Sequence, residues 1–472
     1  MSGKNSRSSR QMSRRQLLKL MGASGVGLYM ASQVPAAAQA ASKAPLPSLR
    51  QTASVPRLYK FPAEGKPYAG TKINVSMVAE AKPDALKKVL PRFTEKTGIE
   101  VNLDILPYPT LQEKQFTVMT QQTGALDGVH VDCVWMGQYA GQGWIAPVDD
   151  LVAETDPAYL MLDDFHPNVL SEQCMWEGKL YGLPFINAIH TLYYRTDIFD
   201  KHGLKPPETW EELRETAKVI NEAESKNGVY GVTFMGKRGV QLLCTYVNFL
   251  GAFGSNFYND KYVATLDTPE AIAALEFFKS LIPYANPGVL SQDWDECFAT
   301  FAAGNAAMNI QWQNAAPGLA DPSKSQIIGK WGITLTPGNK QPDGSIRRSP
   351  CFGGWGFCIA ADSKNREAVW ELMLWATSLE MEKELAAAMP SSRKQVLGDP
   401  EFQKKYIEYE TMLKSYDYAM GRPRIPEWPQ MADLIEAALS EAMTGAKSPE
   451  QALKDVNPLL NEILMAAGYQ KA

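Results

Sequence analysis

The stretch from Lys72 to Met136 constrains the fold most, because its apolar residues keep changing period. Lys72-Ile73-Asn74-Val75-Ser76-Met77-Val78 alternates as a half-buried strand does. Leu86, Val89, Leu90 and Phe93 then recur on one face of a helix, and Gly98 ends it. Ile99-Glu100-Val101-Asn102-Leu103-Asp104-Ile105 alternates again, a helical stretch covers Leu111 to Met119, and Asp132-Cys133-Val134-Trp135-Met136 is a short apolar strand. Strands separated by helices cannot pair as hairpins. The β-α-β-α-β order therefore predicts a parallel sheet wrapped by helices.

Helix signals recur downstream. Thr209-Trp210-Glu211-Glu212 has the form of a capping box, with Trp210, Leu213, Ala217 and Ile220 behind it. Thr268-Pro269 places an N-cap before a proline at the first helical position, and Ser448-Pro449 does the same for the last helix, which Pro458 should kink. Ser363 opens a helix through Val369, Leu372, Met373 and Ala376. A chain of 472 residues has length for two domains of ordinary size.

Charge separates the N-terminus from the rest. Lys4, Arg7, Arg10, Arg14, Arg15 and Lys19 are six positive charges with no acid among residues 1–40, so the net −5 of the chain leaves −11 on the remainder. A body this acidic is a poor partner for nucleic acid, which needs clustered Lys and Arg. Ser13-Arg14-Arg15-Gln16-Leu17-Leu18-Lys19 precedes a glycine-diluted apolar run from Leu20 to Val34, too short for a spanning helix, and Ala38-Gln39-Ala40 offers a small-x-small cleavage pattern. Residues 1–40 resemble a twin-arginine export signal. No Cys follows the run, so no lipid anchor is indicated. Residues 41–70, with five prolines and few aliphatics, read as an extended leader. The six cysteines form no CxxC, which leaves buried thiols or one or two disulfides open.

Several segments resemble the family 1 extracellular solute-binding proteins, the maltose-binding-protein-like receptors of ABC importers. The first runs from Gly178-Lys179-Leu180-Tyr181-Gly182-Leu183-Pro184-Phe185 through Leu192-Tyr193-Tyr194-Arg195-Thr196-Asp197-Ile198-Phe199 to Pro206-Pro207-Glu208-Thr209-Trp210-Glu211-Glu212-Leu213. Arg195 stands where that family usually has Asn. Four more segments keep the family's order: Asp132-Cys133-Val134-Trp135 with Gly141 to Asp149; Phe301 to Met308; Gly353 to Phe357; and Arg422-Pro423-Arg424-Ile425-Pro426 with the Ser448-Pro449-Glu450 turn. The resemblance implies an α/β two-lobe clamshell, each lobe a mostly parallel sheet flanked by helices, with three interlobe crossings near 184–188, 351–354 and 389–392. Lobe one would be 71–185 plus 354–388, and lobe two 189–350 plus 392–472, closing over ligand by hinge motion.

A sugar has apolar C–H faces and a hydroxyl rim, so a cleft that holds it needs flat rings and planar polar groups. Trp312 ends an apolar strand pattern and, by the resemblance, matches a sugar-stacking Trp; a core Trp is the alternative. Gly354 and Trp355 combine backbone access with a ring, or form a tight crossing turn. Gln138 and Tyr139 follow the Asp132 strand, Glu80 follows the first strand, and Asn187 sits at the first crossing. Arg422 offers a guanidinium for bidentate bonds to vicinal hydroxyls or an anion, with Arg393 and Arg424 as lesser candidates. Trp294 and Trp428 are weaker still.

No GxSxG, HExxH, P-loop, GxGxxG or calcium-loop spacing occurs, so no catalytic residue, metal or cofactor is assigned. The expected function is an exported, monomeric receptor, periplasmic or extracellular, that captures a carbohydrate and delivers it to ABC permease subunits. A glycerol phosphate ester, polyamine or peptide is the alternative ligand. The rival from another class, a secreted carbohydrate-active enzyme, needs two carboxylates held roughly 5–9.5 Å apart across a cleft, and no motif pairs them.

Overall fold

The computed structural model describes residues 59–470, so the segment expected to be an export signal and most of the expected leader lie outside the described residues. The first three strands are β1 (Lys72–Val78), β2 (Glu100–Leu106) and β3 (Gly128–Asp132), joined through helices α1 (Ala81–Thr97) and α2 (Tyr108–Gln121). Val75 pairs with Leu103 of β2 and Gly128 of β3, both in parallel. Helix α1 buries Leu86, Leu90 and Phe93 and stops at Gly98, whose φ of 76° is left-handed and whose N–H closes on Thr94 O. A side chain there would also collide with Ala69, so glycine serves two demands at once.

Two long strands carry the sheet onward. Strand β4 (Gly182–Arg195) runs 14 residues, its first half antiparallel to β8 (Phe352–Ile359) and its second half antiparallel to β6 (Met308–Trp312) and β7 (Trp331–Leu335). The two-residue strand β5 (Thr233–Phe234) adds to β6 in parallel, and β8 closes on β3. The order is β2-β1-β3-β8-β4-β6-β5, with β7 on β4. The expectation of mostly parallel strands holds for β2-β1-β3 and for β5-β6. The return strands β4 and β8 run the other way and make the sheet mixed.

Helices cover both strand groups. They include α3 (Met136–Gly141), α4 (Pro167–Cys174), α5 (Trp210–Glu224), α6 (Val240–Ala252), α7 (Pro269–Lys279), α8 (Trp294–Ala302), α9 (Arg366–Ala376), α10 (Leu379–Glu384), α11 (Trp428–Thr444) and α12 (Pro449–Ala466). The capping box at Thr209 and Glu212 is formed, and Trp210, Leu213, Ala217 and Ile220 are buried beneath it. Helix α12 continues through Pro458. The helix expected from Ser363 begins at Arg366 instead, because Ser363 Oγ accepts the Asn365 N–H in a preceding turn. Arg195 chelates Asp197 at 2.6 and 2.7 Å and donates to Gly304 O, which accounts for the charge in place of Asn.

Residues 59–70 depart from an extended leader. Tyr59 N–H bonds Glu154 O, and Phe61 stacks 5.9 Å from Phe93 beside Trp375, so two aromatic side chains anchor the segment to the body. All six cysteines are buried free thiols. Among the described residues no helix is long and apolar enough to cross a membrane.

Candidate ligand-binding site

Strand register assembles the centre of the site. Trp355 stands opposite Asp132 in the β3–β8 pair, Gly354 opposite Asn187 in the β4–β8 pair, and His190 opposite Trp312 in the β4–β6 pair. Directly opposed residues bring their side chains together on one face of a sheet. A register shift between Trp355 and Gly356 bends β8 where these pairs meet.

The strand expected over Asp132 to Met136 ends at Asp132. Its side chain accepts the Val134 N–H, turning the chain into a 3₁₀ turn and then α3. This turn leaves Asp132 at the strand end, where Tyr108 Oη donates to its Oδ2 at 2.9 Å. Arg422 Nη2 lies 3.7 Å from Asp132 Oδ1 and 3.8 Å from Cys133 Sγ, while Arg422 Nε has no acceptor in the protein. Burial opposes the charge on Arg422, but Cys244, Asp132 and further thiols around it more than compensate and hold it protonated. Trp355 packs edge-on to Tyr108 and Trp135 and stacks on His130, with centroids 5.3–5.5 Å apart.

Trp312 closes the other side. Its Nε1–H donates to Gln241 Oε1 at 2.7 Å, and its ring and the His190 imidazole meet in a T-shaped contact with centroids 4.0 Å apart. A Cβ on Gly353 would stand 2.9 Å from the indole and 3.6 Å from Arg422 Nη2, so the ring and the guanidinium converge over that glycine. Two residues beyond Trp312, Asn314 Nδ2 reaches Glu80 Oε2 at 3.4 Å. Burial pushes Glu80 up to about 7, against the Asn314 bond and with help from the Asp295 charge. Glu80 therefore joins the end of β1 to the end of β6.

The crossing strands are stitched by amides. Gln173 Nε2 donates to Ile186 O and Asn187 Oδ1, and Gln313 Nε2 donates to Asn187 O while its Oε1 accepts from Ile189 N. Gly354 has a φ of 138°, and a Cβ there would fall 2.0 Å from Gln173 Nε2. Its conformation serves the close approach of Gln173 and Ile186 O.

Other candidates sit apart from Trp312 and Arg422. Tyr139 is 1% exposed, stacks on Trp135 and donates its hydroxyl to Gln115; Gln138 is half-buried on α3. Arg393 stacks over Phe165 and donates to the carbonyls of Thr377, Leu160 and Met161, and Arg424 to those of Ser171 and Met175. Trp294 lies on Phe298 and Trp428 on Phe257. Sequence reading missed Tyr108, Asp132, His190, Gln241 and Asn314. Asp132 and Asn314 carried a usable signal, because each is a polar residue at or just past the end of an apolar strand. Among the described residues no cluster of three or more His, Cys, Asp or Glu is arranged to hold a metal.

Residues 79–383 match the family model for the bacterial extracellular solute-binding protein. A mannitol-binding protein of Pseudomonas aeruginosa is 27% identical over 393 residues, covering 78% of this chain and 87% of its own. A probable amino-acid ABC transporter periplasmic-binding protein of Sinorhizobium fredii is 25% identical over 415 residues, covering 86% and 92%. An ABC transporter solute-binding protein of Agrobacterium radiobacter K84, solved with ribitol, superposes with a TM-score of 0.76 at 29% identity, covering 84% of this chain and 100% of that one. With the matched region spanning most of the described chain, this protein belongs to the bacterial extracellular solute-binding protein family.

Proposed function

We propose that the chain captures a sugar or sugar alcohol between two lobes, formed around β2-β1-β3-β8 and β6-β5-β7, and delivers it unchanged to ABC permease subunits. The crossings are placed near 184–188, 351–354 and 389–392. The observation that carries this reading is the set at the crossing: Trp312 as a flat ring, Arg422 with an unspent Nε–H, and Glu80 at a strand end. A ring covers the apolar C–H face of a carbohydrate, while a guanidinium and a carboxylate bond its hydroxyls. Trp355 and Asn187 extend the same surface. The mannitol- and ribitol-binding relatives favour small polyhydroxylated ligands.

A thermal-shift and calorimetry panel of D-mannitol, ribitol, maltose and a mixture of neutral amino acids tests the reading. A ligand that binds only the folded state raises the melting temperature. Stoichiometric binding of a sugar or polyol, recovered intact after prolonged incubation, is expected. Amino-acid binding alone, or release of a cleavage product, would overturn it. Export through the twin-arginine route belongs to the same proposal: Arg14→Lys with Arg15→Lys should hold the precursor in the cytoplasm, as fractionation would reveal.

A further inference from the structure

His190 lies on β4 opposite Trp312, fully buried, and no role has yet been given to its ring nitrogens. Its surroundings determine which ring nitrogen carries the proton. Asn248 on α6 has its amide orientation fixed from both ends. Its Oδ1 accepts the Cys351 N–H at 2.8 Å, and its Nδ2 donates to the carbonyls of Thr245 and Cys244 at 2.9 and 3.3 Å. The same Nδ2 stands 2.7 Å from His190 Nδ1. Two donors cannot face each other at that distance, so Nδ1 presents a lone pair and the proton sits on Nε2. Nε2 has no oxygen, nitrogen or sulfur acceptor around it. The aromatic neighbour of the imidazole is the indole of Trp312, opposite His190 in the strand register, with ring centroids 4.0 Å apart and planes at 73°.

We infer that His190 is a positioning residue for Trp312: Asn248 fixes it as the Nε2–H tautomer, and that N–H is spent on the π face of the indole. Trp312 is then held at two points, by Gln241 at its own Nε1–H and by His190 on its face. The relay runs from the backbone of Cys351, at the second crossing, through Asn248 and His190 to the indole. Burial and the Arg422 charge both disfavour a second proton on His190, which keeps the tautomer neutral. The bearing of this assignment on ligand binding rests on Trp312 being the platform.

Only four histidines occur in the chain, so selective ¹⁵N-histidine labelling of the full-length protein gives a readable spectrum. The expected result is one histidine with a protonated Nε2 and an unprotonated Nδ1 throughout pH 5.5–8 as the chosen test range. Its N–H proton should be displaced upfield by the indole ring current, and the resonance should disappear in His190→Gln. Trp312→Leu should remove the displacement and keep the tautomer. Asn248→Asp, which offers acceptors on both oxygens, should move the proton to Nδ1. A protonated Nδ1 in the unsubstituted protein, or an Nε2–H shift indifferent to Trp312→Leu, overturns the inference. D-mannitol titration of Trp312→Leu, which has no ring to stack, separates the two levels. Wild-type affinity there, with the expected spectrum, keeps the positioning role and removes the platform reading. About tenfold weaker binding with the same spectrum supports both.

Discussion

Two buried ion pairs lie close to the strand crossings, and they are built on opposite principles. Lys82 and Glu382 are fully enclosed at 2.8 Å. Lys82 Nζ donates to both carboxylate oxygens and to Phe185 O, and Glu382 also accepts from Ser391 Oγ and the Ser392 N–H. Arg422 and Asp132 are nearly as buried but stand 3.7 Å apart, and Arg422 Nε is left without an acceptor. Burying a charge costs several kcal/mol unless hydrogen bonds replace its water. The first pair meets that demand inside the protein, so it acts as a structural pin between Phe185 of β4 and the Ser391-Ser392 turn. The second pair leaves donor capacity unspent at the place where rings converge, which is what a polar ligand can use.

Substitutions can test this contrast. Glu382→Gln leaves Lys82 buried without its counter-charge and should cost about 3–5 kcal/mol of stability, read by chemical denaturation. If it is nearly neutral, the structural-pin reading fails. Gly354→Ala puts a methyl group into the Gln173 amide at an unfavourable φ, and should cost about 2–4 kcal/mol in the same assay. Arg422→Lys keeps the charge but loses the planar fork. It should change stability by less than about 1 kcal/mol while weakening ligand binding about tenfold in calorimetry. A stability loss like that of Glu382→Gln would place both pairs in the same structural class.

The smallest effect expected is on pH dependence. Glu80 titrates higher in the folded protein than the usual 4.5, at about 7, so the protonated form is the one the fold prefers. Its contribution is whole below about pH 4.5 and is lost as pH rises to about 7. Glu80→Gln should therefore gain melting temperature relative to the parent between pH 5 and pH 8, and the two should converge in acid. Parallel pH profiles would show that Glu80 is solvated like an ordinary surface carboxylate.

Much of the fold was legible because local signals agreed with tertiary structure. Gly98, the Thr209–Glu212 box and the Thr268-Pro269 cap all lie where propensity places them. Of the candidate site, the sequence shows residue types and the structure shows which of them meet. Trp312, Trp355 and Arg422 were chosen as residue types suited to carbohydrate, and the structure brings Trp312 and Arg422 together over Gly353 and links Trp355 to Arg422 through Tyr108 and Asp132. Tyr139 read the same way, yet Gln115 takes its hydroxyl and Trp144 covers its ring. Nothing local distinguishes those cases. His190 and Gln241 were invisible for the same reason, since their meaning comes from partners on distant strands and helices. The apolar pattern at Cys133 to Met136 suggested strand because a 3₁₀ turn capped by Asp132 has no hydrophobic period of its own.

The antiparallel seam between β3 and β8 has a consequence for how the chain comes to be folded. Asp132 finds its partner Trp355 roughly 220 residues later in the sequence. The β2-β1-β3 sheet leaves the ribosome with an unpaired edge, and it stays unpaired until most of the polypeptide has been made. Contacts of such long range must bear the loop-closure entropy before they repay it, so they form late and slowly. Maturation of the two strand groups is therefore coupled: neither can be completed from the first half of the message, and a nascent chain truncated before β8 presents an open strand edge rather than a finished sheet.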